Sequence, residues 1–166
     1  RNKKTHDIVG PIFRQLGLAV SPDDCSLALR GLQTLSVRLQ HMEKSALELA
    51  VWFAKCKHIS MVLHPALVTC PGHHLWLRDF SGSSSVFSIL FEGSVDPKKV
   101  EDFLQALKIF KIGLSWGGVT SLAVIYPDLI RPNKTYEGRL VRLNVGLENT
   151  EDLIADVDFS MTSILG

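Results

Sequence analysis

The chain has 166 residues, 46% of them hydrophobic, and its 18 Lys+Arg against 17 Asp+Glu give a formal net charge of +1. That length and apolar content suit one packed domain with an extra segment at one end, and they exclude a disordered chain. The small net charge excludes bulk steering to nucleic acid or an anionic membrane, and no apolar run reaches the ~18 residues of a membrane helix.

Three cysteines, Cys25, Cys56 and Cys70, stand at wide and unlike spacings. They form neither a disulfide framework nor a zinc signature, so a reducing, cytoplasmic compartment fits. The chain opens Arg1-Asn2-Lys3-Lys4 with no hydrophobic region behind it, and no signal peptide is expected.

Residues 1 to 17 carry Ile8, Val9, Ile12, Phe13 and Leu16 at helical spacing, interrupted at Gly10-Pro11 and ended by Gly17. Ser21-Pro22-Asp23-Asp24 starts a helix, with Ser21 as cap and two aspartates at the positive end of the dipole. Leu32, Leu35, Leu39, Met42, Ala46, Leu49 and Phe53 then make one stripe along a long helix. A strand is expected at Ser60 to Leu63, one or two helical turns at His73 to Phe80, and an alternating strand at Ser85 to Phe91. A helix from Asp96-Pro97 runs to about Phe110, followed by strands at Ile112 to Trp116 and Ser121 to Tyr126. Pro127 to Gly138 reads as a loop, Leu140 to Val145 as a strand, and Asn149 as the cap of a final helix. The order predicts an α+β fold: a small, mostly antiparallel sheet with helices on one face, behind a long linking helix.

Two stretches invite chemistry. Ser115-Trp116-Gly117-Gly118 is a glycine turn after a strand, which lets a backbone approach a ligand or simply reverses the chain. Arg142 sits mid-strand, on the same face as Leu140 and Asn144. It is either a solvent-face arginine or a guanidinium forking a carboxylate, and alternation alone favours the first. The serine run Ser81 to Ser85 leads into a strand rather than a helix, so it is no phosphate cradle. His73 and His74 are adjacent and cannot share a metal from one helix; no metal site is expected.

In chain order, Ser21-Pro22-Asp23-Asp24, Leu29-Arg30-Gly31-Leu32-Gln33-Thr34-Leu35, His64-Pro65-Ala66-Leu67, Pro71-Gly72-His73, Arg78-Asp79-Phe80-Ser81-Gly82, Ser115-Trp116-Gly117-Gly118, Val141-Arg142-Leu143, Gly146-Leu147-Glu148 and Asp152-Leu153-Ile154-Ala155-Asp156 form an ordered set. That set resembles the C-terminal part of the pyridoxal-phosphate enzymes of cysteine and methionine metabolism, and within them the bacterial cystathionine β-lyases. The resemblance implies a type I aminotransferase-like fold. Residues 1–20 would end a large cofactor domain, 21–56 would be the interdomain helix, and 57–166 the small C-terminal domain. It implies a carbon–sulfur lyase of methionine biosynthesis (transsulfuration), splitting cystathionine into homocysteine, pyruvate and ammonia. It implies that Arg142, Ser115 and Trp116 hold the substrate's α-carboxylate, with Leu114 as a specificity position.

The Trp at 116 favours the β-lyase over synthase and γ-lyase relatives, whereas Leu114 departs from the family pattern and leaves those open, together with cysteine desulfhydrase; Val119-Thr120-Ser121 departs too, which implies different local hydrogen bonding. No lysine here follows Ser or Thr, so the Schiff-base lysine, and most of the pyridoxal 5'-phosphate site, are expected upstream. The expected partners are that upstream domain, a homotetramer and a small amino acid, not nucleic acid or membrane. On this reading the isolated chain is a C-terminal segment and inactive; the rival is a non-catalytic remnant serving as an interaction domain.

Overall fold

The computed structural model describes residues 2–126, 130, 131 and 134–166, with residues 130, 131, 134 and 135 described by backbone alone. Contacts divide the chain into two compact units, Arg1–Ser36 and Val37–Gly166.

The first unit holds helices α1 (Lys3–Gln15) and α2 (Pro22–Leu32). The predicted interruption at Gly10-Pro11 does not occur; α1 carries Pro11 inside it. Gly17 ends α1 as expected, at φ +63°. The Leu18 N–H donates to Phe13 O and the Gly17 N–H to Arg14 O, which closes the helix in a Schellman turn. Ser21 caps α2, accepting from the Asp24 N–H at 3.1 Å. No residue of either helix is buried, and Ile8, Val9, Ile12, Phe13 and Leu16 are all exposed.

The single long helix expected from Ser21 is two helices. α2 stops at Leu32 and α3 runs Leu35–Phe53, with a turn at Gln33 and Thr34. The Thr34 N–H and hydroxyl both bond back to Gly31 O at 3.4 Å, a three-residue reach that breaks the four-residue ladder. The apolar stripe spans the break, but burial begins only at Met42.

The second unit has the predicted α+β architecture. Strands β1 (Ile59–Leu63), β2 (Val86–Phe91), β3 (Lys111–Ile112), β4 (Leu122–Ile125) and β7 (Leu140–Asn144) form a sheet in the order β1-β2-β7-β4-β3. Every pairing is antiparallel except β3 with β4. A separate pair, β5 (Ile130–Arg131) and β6 (Lys134–Thr135), lies in the segment read as a loop, and the rest of 127–133 falls outside the described residues. Helices α4 (His73–Asp79), α5 (Pro97–Ala106) and α6 (Thr150–Leu165) complete the unit.

Alternation along β2 sends Phe87, Ile89 and Phe91 into the core, where Val141 and Leu143 of β7 join them. Ala46, Leu49, Ala50 and Phe53 of α3, Val100, Phe103 and Leu104 of α5, and Leu153 and Val157 of α6 cover that face. The other face carries Ser88, Arg142, Val124 and Asn144.

α5 ends at Ala106, four residues short of expectation. The cause lies in α6. Asp156, 7% exposed, accepts the N–H groups of Lys108, Ile109 and Phe110 at 2.8, 2.9 and 3.2 Å. A carboxylate holding three consecutive amides outcompetes another helical turn and turns the chain towards β3.

His64 lies in this core at 0% exposure, against Phe87. Its Nδ1 accepts from the Ala66 N–H at 3.3 Å, so the neutral ring carries its proton on Nε2, which has no partner among the described residues. Burial holds its pKa below the usual value, with Glu43 pulling the other way. The unfolded chain therefore binds the proton first as pH falls. The contribution of His64 to stability should be constant above about pH 6.5 and decline below it, towards the folded-state pKa. His58, lowered by burial and then by Lys57 and Lys99, adds to the same limb. Urea midpoints across that range should show the decline in the natural protein and a shallower one in His64→Gln; equal slopes would remove His64 as a cause.

Candidate functional site

β7 is the middle strand of the sheet, and Arg142 stands at its centre, opposite Ser88 on β2 and Val124 on β4. Both neighbours are short. The guanidinium is therefore free to fold across the sheet towards the segment that links β3 to β4.

That segment, residues 113–121, is where a strand to Trp116 was expected. β3 ends at Ile112, and the rest is irregular chain held by bonds from β7 and the turn beyond it. Arg142 Nη2 donates to Leu114 O at 2.5 Å and Ser115 O at 3.2 Å. Its guanidinium carbon sits 5.5 Å from the Trp116 ring centre and 5.7 Å from that of Tyr126. The cation thus stands within cation–π distance of two rings and is steered by two carbonyls. Nε and Nη1 remain as donors with no hydrogen-bond partner among the described residues.

Gly117 adopts φ +72°, a left-handed conformation that favours glycine. The Ser121 hydroxyl donates to Glu148 at 2.7 Å and accepts from the Gly146 N–H at 2.8 Å, while the Ser121 N–H donates to Glu148 at 2.8 Å. The Leu147 N–H closes the end of the segment on Val119 O at 2.9 Å.

Of the residues singled out in the sequence, Arg142, Ser115 and Trp116 meet here. Ser115 touches the guanidinium through its carbonyl oxygen. Leu114 contributes its carbonyl too, while its side chain is 68% exposed on the same rim as Trp116 at 66%. Asn144 shares the Arg142 face as expected but is not on a solvent face: it is 1% exposed beneath the segment. Tyr126 was missed. The register could have found it, since Val124 pairs with Arg142 and the residue two positions on projects to the same side.

Elsewhere, His73 Nδ1 bonds to Pro65 O at 2.7 Å, and no cluster of metal-ligating side chains occurs among the described residues. The three cysteines are unpaired, and burial, with Asp158 adding to it, pushes the Cys56 thiol up to about 11, so it stays protonated and inert. Among the described residues, no helix is long and apolar enough to cross a membrane.

The exposed face at Arg142 offers a fixed cation, a main-chain turn and two rings, which suits a small carboxylate beside an apolar group. Pyridoxal phosphate asks for something else: an amine for its aldehyde and donors for its phosphate. Lys111, the lysine nearest in sequence to the 113–121 segment, turns its Nζ onto Lys108 O at 2.8 Å. The residues gathered at this face fit a carboxylate and do not by themselves fit the cofactor.

A sequence profile described as Cys/Met metabolism PLP-dependent enzyme matches residues 2–162. The chain is 41% identical over 148 residues to a putative cystathionine beta-lyase of Rhizobium johnstonii, covering 86% of this chain and 37% of the relative. It is 36% identical over 162 residues to the cystathionine beta-lyase of Haemophilus influenzae, covering 94% and 41%. Among solved structures it superposes with a TM-score of 0.81 on cystathionine gamma synthase from Xanthomonas oryzae pv. oryzae in complex with aminoacrylate and cysteine, at 31% identity over 98% of this chain and 43% of that one. The chain thus spans roughly two-fifths of the length of the relatives it matches.

Proposed function

The chain belongs to the Cys/Met metabolism PLP-dependent enzymes, and from that premise we propose that it is the C-terminal part of a carbon–sulfur lyase that cleaves cystathionine to homocysteine, pyruvate and ammonia. The observation that carries this reading is Arg142, a guanidinium held on a central strand with Nε and Nη1 free among the described residues to meet a carboxylate. Ser115 and Trp116 help by fixing the guanidinium's tilt through a carbonyl and a ring face. Orienting the amino acid by its carboxylate is what this chain contributes; it sets which bond at Cα stands ready to react.

The cofactor is held, in this reading, by residues outside the 166, and the reacting lysine lies among them. The unpaired thiols fit a reducing cytoplasm. A second reading, cystathionine γ-synthase or γ-lyase, is favoured by the likeness to the γ-synthase structure and by Leu114 at the rim.

The products separate the two. The full-length protein, supplied with pyridoxal phosphate and cystathionine, should release pyruvate with homocysteine. Release of 2-oxobutyrate with cysteine would move the assignment to the γ branch. The isolated 166-residue chain should release neither and form no stable Schiff-base band with the cofactor; a stable band would overturn its dependence on an upstream lysine.

A further inference from the structure

We propose that Asn144 is a positioning residue: its single side-chain amide fixes the 117–120 turn, and through it the places of Trp116 and the Arg142 guanidinium. The inference rests on the carboxylate-holding role of Arg142 set out above.

Three bonds carry it. Asn144 Oδ1 accepts from the Gly117 N–H at 2.8 Å and from the Ser85 hydroxyl at 2.9 Å. Its Nδ2 donates to Thr120 O at 3.2 Å. The amide orientation is settled by these partners, because a main-chain N–H only donates and a main-chain carbonyl only accepts. One planar group therefore grips the turn at both ends, buried at 1% exposure where water cannot replace it.

Two residues earlier on the same face, Arg142 bonds the carbonyls of Leu114 and Ser115. Trp116 lies between the two grips. Trp116 is 66% exposed, and its ring faces the Arg142 guanidinium. Its place over the guanidinium depends on the backbone at 115 and 117, each end of which is tied to a β7 side chain. Ser85 supports the arrangement from β2's approach, and the loop before it is anchored on α3, where Glu43 accepts from the Ser83 N–H at 2.7 Å.

The test uses the full-length protein. In Asn144→Ala, amide hydrogen exchange across residues 114–120 should quicken about tenfold or more, with α5 and α6 unchanged, since only a local opening is made easier. With pyridoxal phosphate, kcat/KM for cystathionine should fall about tenfold, chiefly through KM, because a displaced carboxylate clamp weakens positioning. Ser85→Ala, a milder change, should move both readouts the same way and less, which keeps the test open if the first variant folds poorly. Unchanged exchange across 114–120, or equal loosening of α5 and α6, would overturn the proposal. The exchange result stands apart from the carboxylate reading, which falls if replacing Arg142 leaves kcat/KM intact.

Discussion

Arg142→Lys in the full-length enzyme should raise KM for cystathionine and lower kcat/KM roughly 10- to 100-fold. The guanidinium does three things at once. It donates through Nη2 to Leu114 O and Ser115 O, it stands within cation–π distance of the rings of Trp116 and Tyr126, and on the proposed reading it keeps Nε and Nη1 for a carboxylate. These tasks need donors spread over a rigid plane. A lysine ammonium is a point charge on a shorter reach, so it can serve the carbonyls or the carboxylate but not both with good geometry. Charge-assisted bonds of this kind are worth ~1.5–3 kcal/mol, which converts to the stated range. Because the charge itself survives, some carboxylate affinity should remain, and Arg142→Ala should fall further. Steady-state kinetics on both variants checks the order; an unchanged kcat/KM in Arg142→Lys would remove this residue from the site.

Gly146→Ala should cost about 3 kcal/mol of stability, at the upper end of what overpacking does. A Cβ there would strike Val119 O and sit within 2.5 Å of Glu148 Oε2 and 2.7 Å of Ser121 N. Two of those atoms are backbone, so no rotamer change relieves the clash. The strands around Gly146 are tied by the Ser121 hydroxyl, Glu148 and the Leu147–Val119 bond, and all of these must yield together. Gly118→Ala makes the contrast, because nothing lies within 4 Å of the point where its methyl would stand and its backbone is not left-handed. It should fold within about 0.5 kcal/mol of the natural protein. Urea unfolding of the pair decides it: similar midpoints for the two variants would mean that the close approach at Gly146 relaxes freely.

Much of the fold was legible because its signals are local. Ser21 and Asn149 each cap the helix they were expected to cap, and Asp96 caps the helix it was expected to start, since a cap needs only a side-chain oxygen and the next few amides. The alternation along β2 gave its buried face, because a strand's period is built into its backbone. What failed to show was decided at a distance. Alternation put Asn144 beside Arg142 but could not say that residues 117–120 would roof it. The end of α5 was read four residues late because the carboxylate that stops it, Asp156, is 46 residues beyond Phe110. The break between α2 and α3 was missed for a subtler reason. The apolar stripe keeps its spacing straight through Gln33 and Thr34, and periodicity does not register a turn that preserves phase. For the site, the periodic pattern favoured a solvated Arg142, and only the ordered resemblance reversed that.

The segment 108–121 is held by Asp156, Arg142, Asn144, Gly146 and Glu148, together with β4. Every one of these lies later in the chain than the stretch it restrains. During synthesis the stretch therefore leaves the ribosome before any of its holders exist, and Asp156, the last of them, sits in the final helix. The proposed clamp is assembled in reverse order of translation: the segment is made before its holders and takes its shape only after them.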